Sequence, residues 1–368
     1  MEYQAPRLGF GLMRLPRSDG QIDIPTVAAM ADIFLKGGFT YFDTAYVYEG
    51  SEEAFRKAVV ERHPRDSFTI ADKLPSWALS DTVSPRDLFE ESLRRCGTTF
   101  FDYYLLHNIN GKSAPIFEKY DAWSFVDRLC EEGKIRHLGF SFHGTPELLE
   151  KTLSEHPEVE FVQLQINYVD WRDENVRAEE NHRIVRAHGK SVTVMEPVKG
   201  GTLANPRSEA MEKLSALGTG ASASHYALRW VGSLEGVRTI LSGMSSPEQV
   251  EDNVRTFRDF APLSPEEAAA VEACRDTILS TPTVPCTACR YCCEGCPAGI
   301  DIPEIIKCHN RVLTFGDHAS PHFRYSDLIG AGSGRAGDCR RCGQCEGVCP
   351  QHLPLIDILK EASAVFDR

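Results

Sequence analysis

Positive charge is scarce in this chain. Across 368 residues, 40 Lys and Arg stand against 53 Asp and Glu, a formal net charge of −13. Neutralising phosphates takes surplus cations, so nucleic acid is excluded as a partner. Docking on an anionic membrane surface is excluded for the same reason. Long apolar runs are missing, and no stretch reaches the length that crosses a bilayer. The opening MEYQAPRLGFGLMRLP lacks the basic region, apolar stretch and small-residue cleavage site of a leader. The expected compartment is therefore the cytoplasm. Cysteine is almost absent from the first 285 residues, where only Cys96, Cys130 and Cys274 occur. The other ten lie between Cys286 and Cys349. In a reducing compartment they are not expected to form disulfides, and read as metal ligands, catalytic groups or core thiols.

What is present describes a folded protein. Hydrophobic residues make up 42% and charged residues 25%, a globular composition. The cysteine shift and the two prolines of TPTVP (281–285) mark a boundary, giving domains of 1–280 and 281–368. Charge partitions with them. Residues 286–368 carry 9 Lys and Arg against 10 Asp and Glu, whereas the remainder carries 31 against 43.

Eight apolar, β-branched or aromatic runs recur in the first domain: RLGFGLMRL (7–15), FTYFDTA (39–45), SFTIADKL (67–74), FDYYLLH (101–107), IRHLGFSF (135–142), FVQLQINY (161–168), SVTVMEPV (191–198) and VRTILSGM (237–244). Helical patterns separate them, among them SEEAFRKAVVER and SAPIFEKYDAWSFVDRLCEEGK. Strand–helix alternation implies parallel strands with right-handed crossovers. Eight units in about 250 residues predict an α/β fold, a (β/α)8 TIM barrel. An open doubly wound sheet is the runner-up, but no G-x-G-x-x-G follows the first strand. The one such string, Gly332 to Gly337, sits among the cysteines with no strand before it.

Barrel enzymes place reactive residues at the C-terminal ends of strands. There lie Asp43, Lys73 and His107, on three consecutive strands, with Tyr48 in the loop after Asp43. Each alone has a structural reading: a turn, a rim lysine, a core histidine, an interface aromatic. Together they suit proton donation from a phenol. Lys73 beside the hydroxyl favours the phenolate and makes Tyr48 a better acid. Asp43 orients Lys73, and His107 hydrogen-bonds the substrate oxygen. The set stabilises a developing alkoxide while hydride arrives at carbon, which is carbonyl reduction or, in reverse, alcohol oxidation.

The motifs GFGLMRLP, FDTAYVYEGSEEAF, ADKLP, YYLLH, GKIRHLGFS, VQLQINY and LSGMSSPEQVEDN resemble those of the aldo-keto reductase family over residues 7–260. The resemblance implies NAD(P)H bound without a Rossmann fold. It also implies a tetrad of Asp43, Tyr48, Lys73 and His107. Ser141 and Gln163 match positions that hold the nicotinamide amide. Met195 falls where many members stack an aromatic ring on the nicotinamide. Gly243, Met244, Ser245, Gln249 and Asn253 fall where the adenosine half is held. Phe142 replaces a frequent Asn, and Gln249 replaces an Arg that binds the 2′-phosphate, which leaves NADP against NAD open. Glu196, Lys199, Trp123 and Trp171 are further candidates for the pocket, with equal structural readings.

The cysteines form two runs, Cys286-x2-Cys289-x2-Cys292-x3-Cys296-Pro297 and Cys339-x2-Cys342-x2-Cys345-x3-Cys349-Pro350. Both fit the bacterial ferredoxin pattern, in which the fourth cysteine crosses to the other cluster. Cys286, Cys289, Cys292 and Cys349 are thus expected to hold one [4Fe–4S] cluster, and Cys339, Cys342, Cys345 and Cys296 another. Zinc is the competing reading of any C-x2-C pair. Cys293 competes with Cys292, and Cys308 reads as a packed thiol. The long spacer between the runs resembles that of a mainly α-helical ferredoxin-like domain. The whole chain resembles the aldo-keto reductase branch that carries such a domain at its C-terminus.

Three functions follow. The first is an NAD(P)H-linked carbonyl reductase of a small-molecule substrate, with clusters for electron transfer or structure. The second is an iron–sulfur oxidoreductase fed by ferredoxin or another electron carrier, using the tetrad for acid–base chemistry on a hydroxylated substrate. The third is a non-catalytic redox-sensing subunit. Hydride moves two electrons and a cluster one, a gap that flavin bridges in many enzymes. An FMN on the strand 7–8 phosphate site is compatible with a barrel, although no flavin motif is visible.

Overall fold

The computed structural model describes residues 8–368 except Asn175, Asp259, Thr287, Asp317 and His318. The chain forms two compact units. One holds the residues up to Lys199 with Ser224–Ala268, and the other holds Gly200–Ala223 with Ala269–Arg368.

The first unit is a closed barrel of eight strands. They are β1 (Leu8–Gly11), β2 (Tyr41–Asp43), β3 (Thr69–Pro75), β4 (Phe101–Ile109), β5 (Ile135–Phe142), β6 (Phe161–Gln165), β7 (Ser191–Met195) and β8 (Val237–Gly243). Every neighbouring pair is parallel, and β1 closes the ring by pairing with both β8 and β2. The eight expected strands are all present but shorter in places. The first ends at Gly11, because Leu12–Arg14 winds into a 3-10 turn. A two-stranded hairpin, Arg17–Ser18 with Gln21–Ile22, precedes the first helix.

Period two assigns the side chains. Tyr41, Ala71, Tyr103, Leu105, Phe161 and Leu241 fill the barrel interior. The alternate residues, such as Phe42, Ile70, Leu74, Tyr104 and Leu106, meet the surrounding helices. On β3 this puts Lys73 on the inner face with Ala71, and Asp72 on the helix side with Ile70 and Leu74. Gly139 is needed where it stands, since a Cβ there would lie 2.6 Å from the Phe161 ring.

The helices of this unit are α1 (Ile24–Lys36), α2 (Ser51–Phe55), α3 (Pro85–Cys96), α4 (Ala114–Lys119), α5 (Ala122–Glu131), α6 (Pro146–Glu155) and α7 (Ala178–Ala187). Further on, α9 (Ala223–Gly232) and α10 (Pro247–Arg258) complete the ring, α8 (Ser208–Ser215) belonging to the second unit. Ser84 caps α3 in a reciprocal capping box with Asp87, Pro85 stands at the first helical position, and Gly97 ends the helix at φ 66°. Two helical expectations are corrected. The 113–133 segment is two helices, because Asp121 at φ 49° breaks it and takes the Ser124 hydroxyl at 2.6 Å. The 51–62 segment widens into a π turn over Arg56–Val60.

The second unit is helical, with no strand among its described residues. After α11 (Pro265–Leu279) come α12 (Ile302–Phe315), α13 (Ala319–Gly330), α14 (Gln344–Gly347) and α15 (Leu355–Phe366). Its core gathers Ile300, Ile305, Ile306, Leu355, Leu359 and Phe366 around Cys292, Cys308 and Cys345. The Tyr325 hydroxyl donates to Asp367 at 2.6 Å and accepts the Ala336 N–H at 2.8 Å. The Gly332–Gly337 string runs into a 3-10 turn at Ala336–Asp338. Among the described residues no helix is long and apolar enough to cross a membrane.

Candidate active site

The barrel brings the four strand-end residues together. Lys73, fully buried, donates to Asp43 Oδ1 at 2.7 Å and to the Thr44 carbonyl at 2.5 Å. Its ammonium lies 5.0 Å from the Tyr48 ring centre. The His107 ring stands edge-on to Tyr48 with centres 6.0 Å apart. Asp43 Oδ2 and His107 Nδ1 are buried without a hydrogen-bond partner.

Electrostatics assigns protons. Burial opposes the Lys73 charge, but the Asp43 carboxylate and the Tyr48 oxygen outweigh it and hold Lys73 above its ordinary range. Burial, with Lys73 and His143 nearby, pushes His107 well down, so its imidazole is neutral. Tyr48 corrects an expectation. Lys73 does favour the phenolate, but burial is the larger effect and Asp43 adds to it, so the phenol titrates above its ordinary value. Tyr48 is thus a firmly protonated donor in the resting site.

The residues matched to the nicotinamide pocket lie side by side. Ser141 and Gln163 are register partners on β5 and β6, both buried. The Ser141 hydroxyl accepts the Asn108 N–H at 2.7 Å, fixing Asn108 at φ 60° directly after His107. Gln163 Nε2 approaches Met195 Sδ at 3.6 Å, while Gln163 Oε1 is buried with no donor. The adenosine-side residues divide. Gly243 and Ser245 are exposed before the N-terminus of α10, and the Ser245 N–H donates to Gln249 Oε1 at 2.7 Å. Met244 packs in the hydrophobic core. Asn253 is buried and donates to Ser242 at 2.8 Å, so neither side chain is free to meet a ligand.

Two neighbours, Trp77 and Arg14, escaped the sequence reading. Trp77, 53% exposed on the 3-10 turn after β3, lies 5.2 Å from the His107 ring. Its only signal was an aromatic residue four positions after Lys73. Arg14 pairs with Glu196 at 3.0 Å, joining the ends of β1 and β7. Lys199 is buried and donates to Asp170, which also accepts from Gln165 and Asn167 at 2.8 Å each. Glu196 and Lys199 both hold positive φ, 57° and 48°. Behind β3, the buried ligand atoms of Glu52, Asp72 and Cys96 lie within 4.8 Å of one another. Burial and the facing Glu52 push Asp72 well up, so Asp72 keeps a proton there. Trp123 and Trp171 pack away from the tetrad. Trp123 stacks on His156 at 3.6 Å, beside a cavity of about 380 Å³, and Trp171 meets Trp230 at 5.5 Å.

In the second unit no cysteine is paired in a disulfide. Cys292 and Cys345, the third of each run, are buried in one core, with Cys286, Cys293, Cys296, Cys339 and Cys349 packed against it. Cys289 and Cys342 are exposed. Cys293 lies 3.9 Å from Asp301, and Cys308 is a buried core thiol.

Known proteins are similar to this chain in sequence and in fold. An aldo-keto reductase of Mycolicibacterium paratuberculosis is 29% identical over 277 residues, 75% of this chain and 88% of its own length. A methylglyoxal reductase of Salmonella typhimurium is 27% identical over 151 residues, 40% of this chain and half of its own. A holo aldo-keto reductase from Bacillus halodurans superposes with TM-score 0.57 at 28% identity, covering 73% of this chain and 91% of that one. An NADPH complex of a Klebsiella pneumoniae aldo-keto reductase, at 23% identity and TM-score 0.56, covers 73% and 90% and shares the fold. The family description "Aldo/keto reductase family" matches residues 7–276, so the chain belongs to the aldo/keto reductase family and is an oxidoreductase.

Proposed function

We propose that this chain reduces a small-molecule carbonyl with NAD(P)H, or oxidises the alcohol, and that its cysteine-rich part holds two [4Fe–4S] clusters. In this reading residues 1–280 are the reductase and 281–368 a ferredoxin-like domain. The observation that carries it is the buried Lys73–Asp43 pair under Tyr48, with neutral His107 alongside.

Nicotinamide, when bound, supplies or takes a hydride at the substrate carbon. The chain does the rest. Tyr48, held protonated by burial, donates its proton to the developing alkoxide. Lys73 steadies the phenolate left behind, and Asp43 keeps Lys73 charged. His107, neutral, has an N–H to offer the substrate oxygen and set its direction. Gln163 Oε1, a buried acceptor without a donor, fits the N–H of a carboxamide, with Ser141 beside it. Met195 would lie against the ring. Gly243 and Ser245 sit before the N-terminus of the twelve-residue α10 and Gln249 lies in its first turn, where backbone N–H groups suit a phosphate. Met244 and Asn253 would contribute through backbone and shape. The relative named as a methylglyoxal reductase supports a carbonyl substrate.

The cysteines fit clusters by their chemistry. Six of the eight thiols gather at one apolar core while Cys289 and Cys342 are exposed; Cys286, Cys289, Cys292 and Cys349 would hold one cluster and Cys339, Cys342, Cys345 and Cys296 the other. Clusters would supply one-electron transfer. The combination favours a second reading, in which ferredoxin feeds the protein and the tetrad acts on a hydroxylated substrate.

The test uses anaerobically purified protein, given NADPH and then NADH with a panel of aldehydes and ketones. Coenzyme oxidation is expected, falling about 10²- to 10⁴-fold in Tyr48→Phe. Full activity in Tyr48→Phe would overturn both readings. Bleaching of the iron–sulfur absorbance by a reduced carrier alone, with no coenzyme oxidation, would favour the second.

A further inference from the structure

We infer that the loop from Cys339 to Cys342, with Arg340 and Arg341, is the docking surface for an acidic one-electron carrier protein. The inference rests on the cluster reading above and says where such a carrier binds. Arg340 and Arg341 are both exposed, between half-buried Cys339 and exposed Cys342. Arg341 is held at φ 54°. Neither makes an ion pair among the described residues, unlike most arginines of this chain.

The carboxylates of the same segment are occupied. Asp338 accepts the Arg335 N–H at 2.8 Å, and Glu346 accepts the Ile356 N–H at 2.9 Å. Neither carboxylate pairs with Arg340 or Arg341 among the described residues, so both guanidinium groups face solvent on a chain whose net charge is −13. The first run differs. Its one arginine, Arg290, is neutralised by Asp301 at 2.7 Å. The asymmetry assigns docking to the second run and leaves the first without a steering charge.

A transient redox contact needs little buried area, a small apolar centre and complementary charge at its rim. Val348, 47% exposed and next to Cys349, offers an apolar contact in the same segment. Opposite charge raises encounter rates and makes them fall with salt. The transfer balances simply. The reduced carrier would give up one electron, Cys339, Cys342, Cys345 and Cys296 would hold the cluster that accepts it, and no proton or bond would be exchanged.

The experiment mixes anaerobic holoprotein with a pre-reduced acidic [2Fe–2S] ferredoxin in a stopped-flow cell and follows bleaching of the [4Fe–4S] absorbance. Dithionite serves as a small reductant that needs no docking. The wild-type rate with ferredoxin is expected to fall steeply with added salt. R340E/R341E is expected to slow it at least about tenfold at low salt, with iron content and dithionite bleaching unchanged. R340Q/R341Q, gentler to folding, is expected to fall between. A ferredoxin rate that ignores salt and charge reversal would overturn the inference, as would no reduction by ferredoxin while dithionite works. A pure chain that takes up no iron would sink the cluster reading itself, a distinct failure.

Discussion

Removing the Lys73 ammonium tests the centre of the site most directly. In Lys73→Met the side-chain volume is nearly kept, but Asp43 loses its donor at 2.7 Å and the Thr44 carbonyl its donor at 2.5 Å. Asp43 Oδ2 already has none, and the carboxylate is 3% exposed. Leaving a buried charge without its partner costs about 3–5 kcal/mol. The sign with pH follows from the proton. Without Lys73, burial alone sets Asp43, and its folded pKa rises further above the unfolded one. Such a group loses stability as pH rises from the usual carboxylate range through its folded value, so the deficit deepens with pH. The slope is at most about 1.4 kcal/mol per pH unit. Asp43→Asn in the same chain removes the stranded charge and is expected to restore most of the loss. All four tryptophans, Trp77, Trp123, Trp171 and Trp230, lie in the barrel unit, so tryptophan fluorescence in urea reads that unit alone. A cost under about 1 kcal/mol, or a double variant weaker than Lys73→Met, would refute the reasoning.

Three further outcomes are expected. Asp72→Asn should gain stability relative to the wild type as pH rises from the usual carboxylate range, because the buried Asp72 proton must be kept against a rising pH whereas an amide has no such proton to lose; urea midpoints across pH will show it. His107, His143, His182 and His225 are all held below their ordinary value, chiefly by burial. The unfolded chain therefore binds more protons below about pH 6.5, and stability should fall as pH drops through that range; a pH series of thermal melts checks this. Trp77→Ala uncovers the His107 ring and should raise KM more than it lowers kcat, seen in steady-state kinetics with any aldehyde that is turned over.

Much of the fold was legible because its signals are local. Eight apolar runs in alternation with amphipathic stretches left few ways to bury both kinds of surface. The break at Asp121 was not legible, since an aspartate at φ 49° is tolerated only where the surrounding packing holds it. The tetrad was legible because a barrel sends consecutive strand ends to one face. Trp77 and the Arg14–Glu196 pair were not, because they meet across loops whose paths depend on packing. Tyr48 shows the limit most clearly. From sequence, Lys73 nearby implied an easier acid; the depth of burial, which no residue pattern states, reverses the net shift.

The sequence by itself determined the strand–helix alternation, the placing of Asp43, Lys73 and His107 at consecutive strand ends, and the two four-cysteine runs. These depend on residue type and spacing along the chain. Tertiary structure alone decided that Asp72 keeps its proton against Glu52, that Met244 and Asn253 turn into the core, and that Arg340 and Arg341 are exposed with no ion pair among the described residues. Each of these turns on desolvation and on which charges meet across distant segments, and both quantities exist only once the chain has folded.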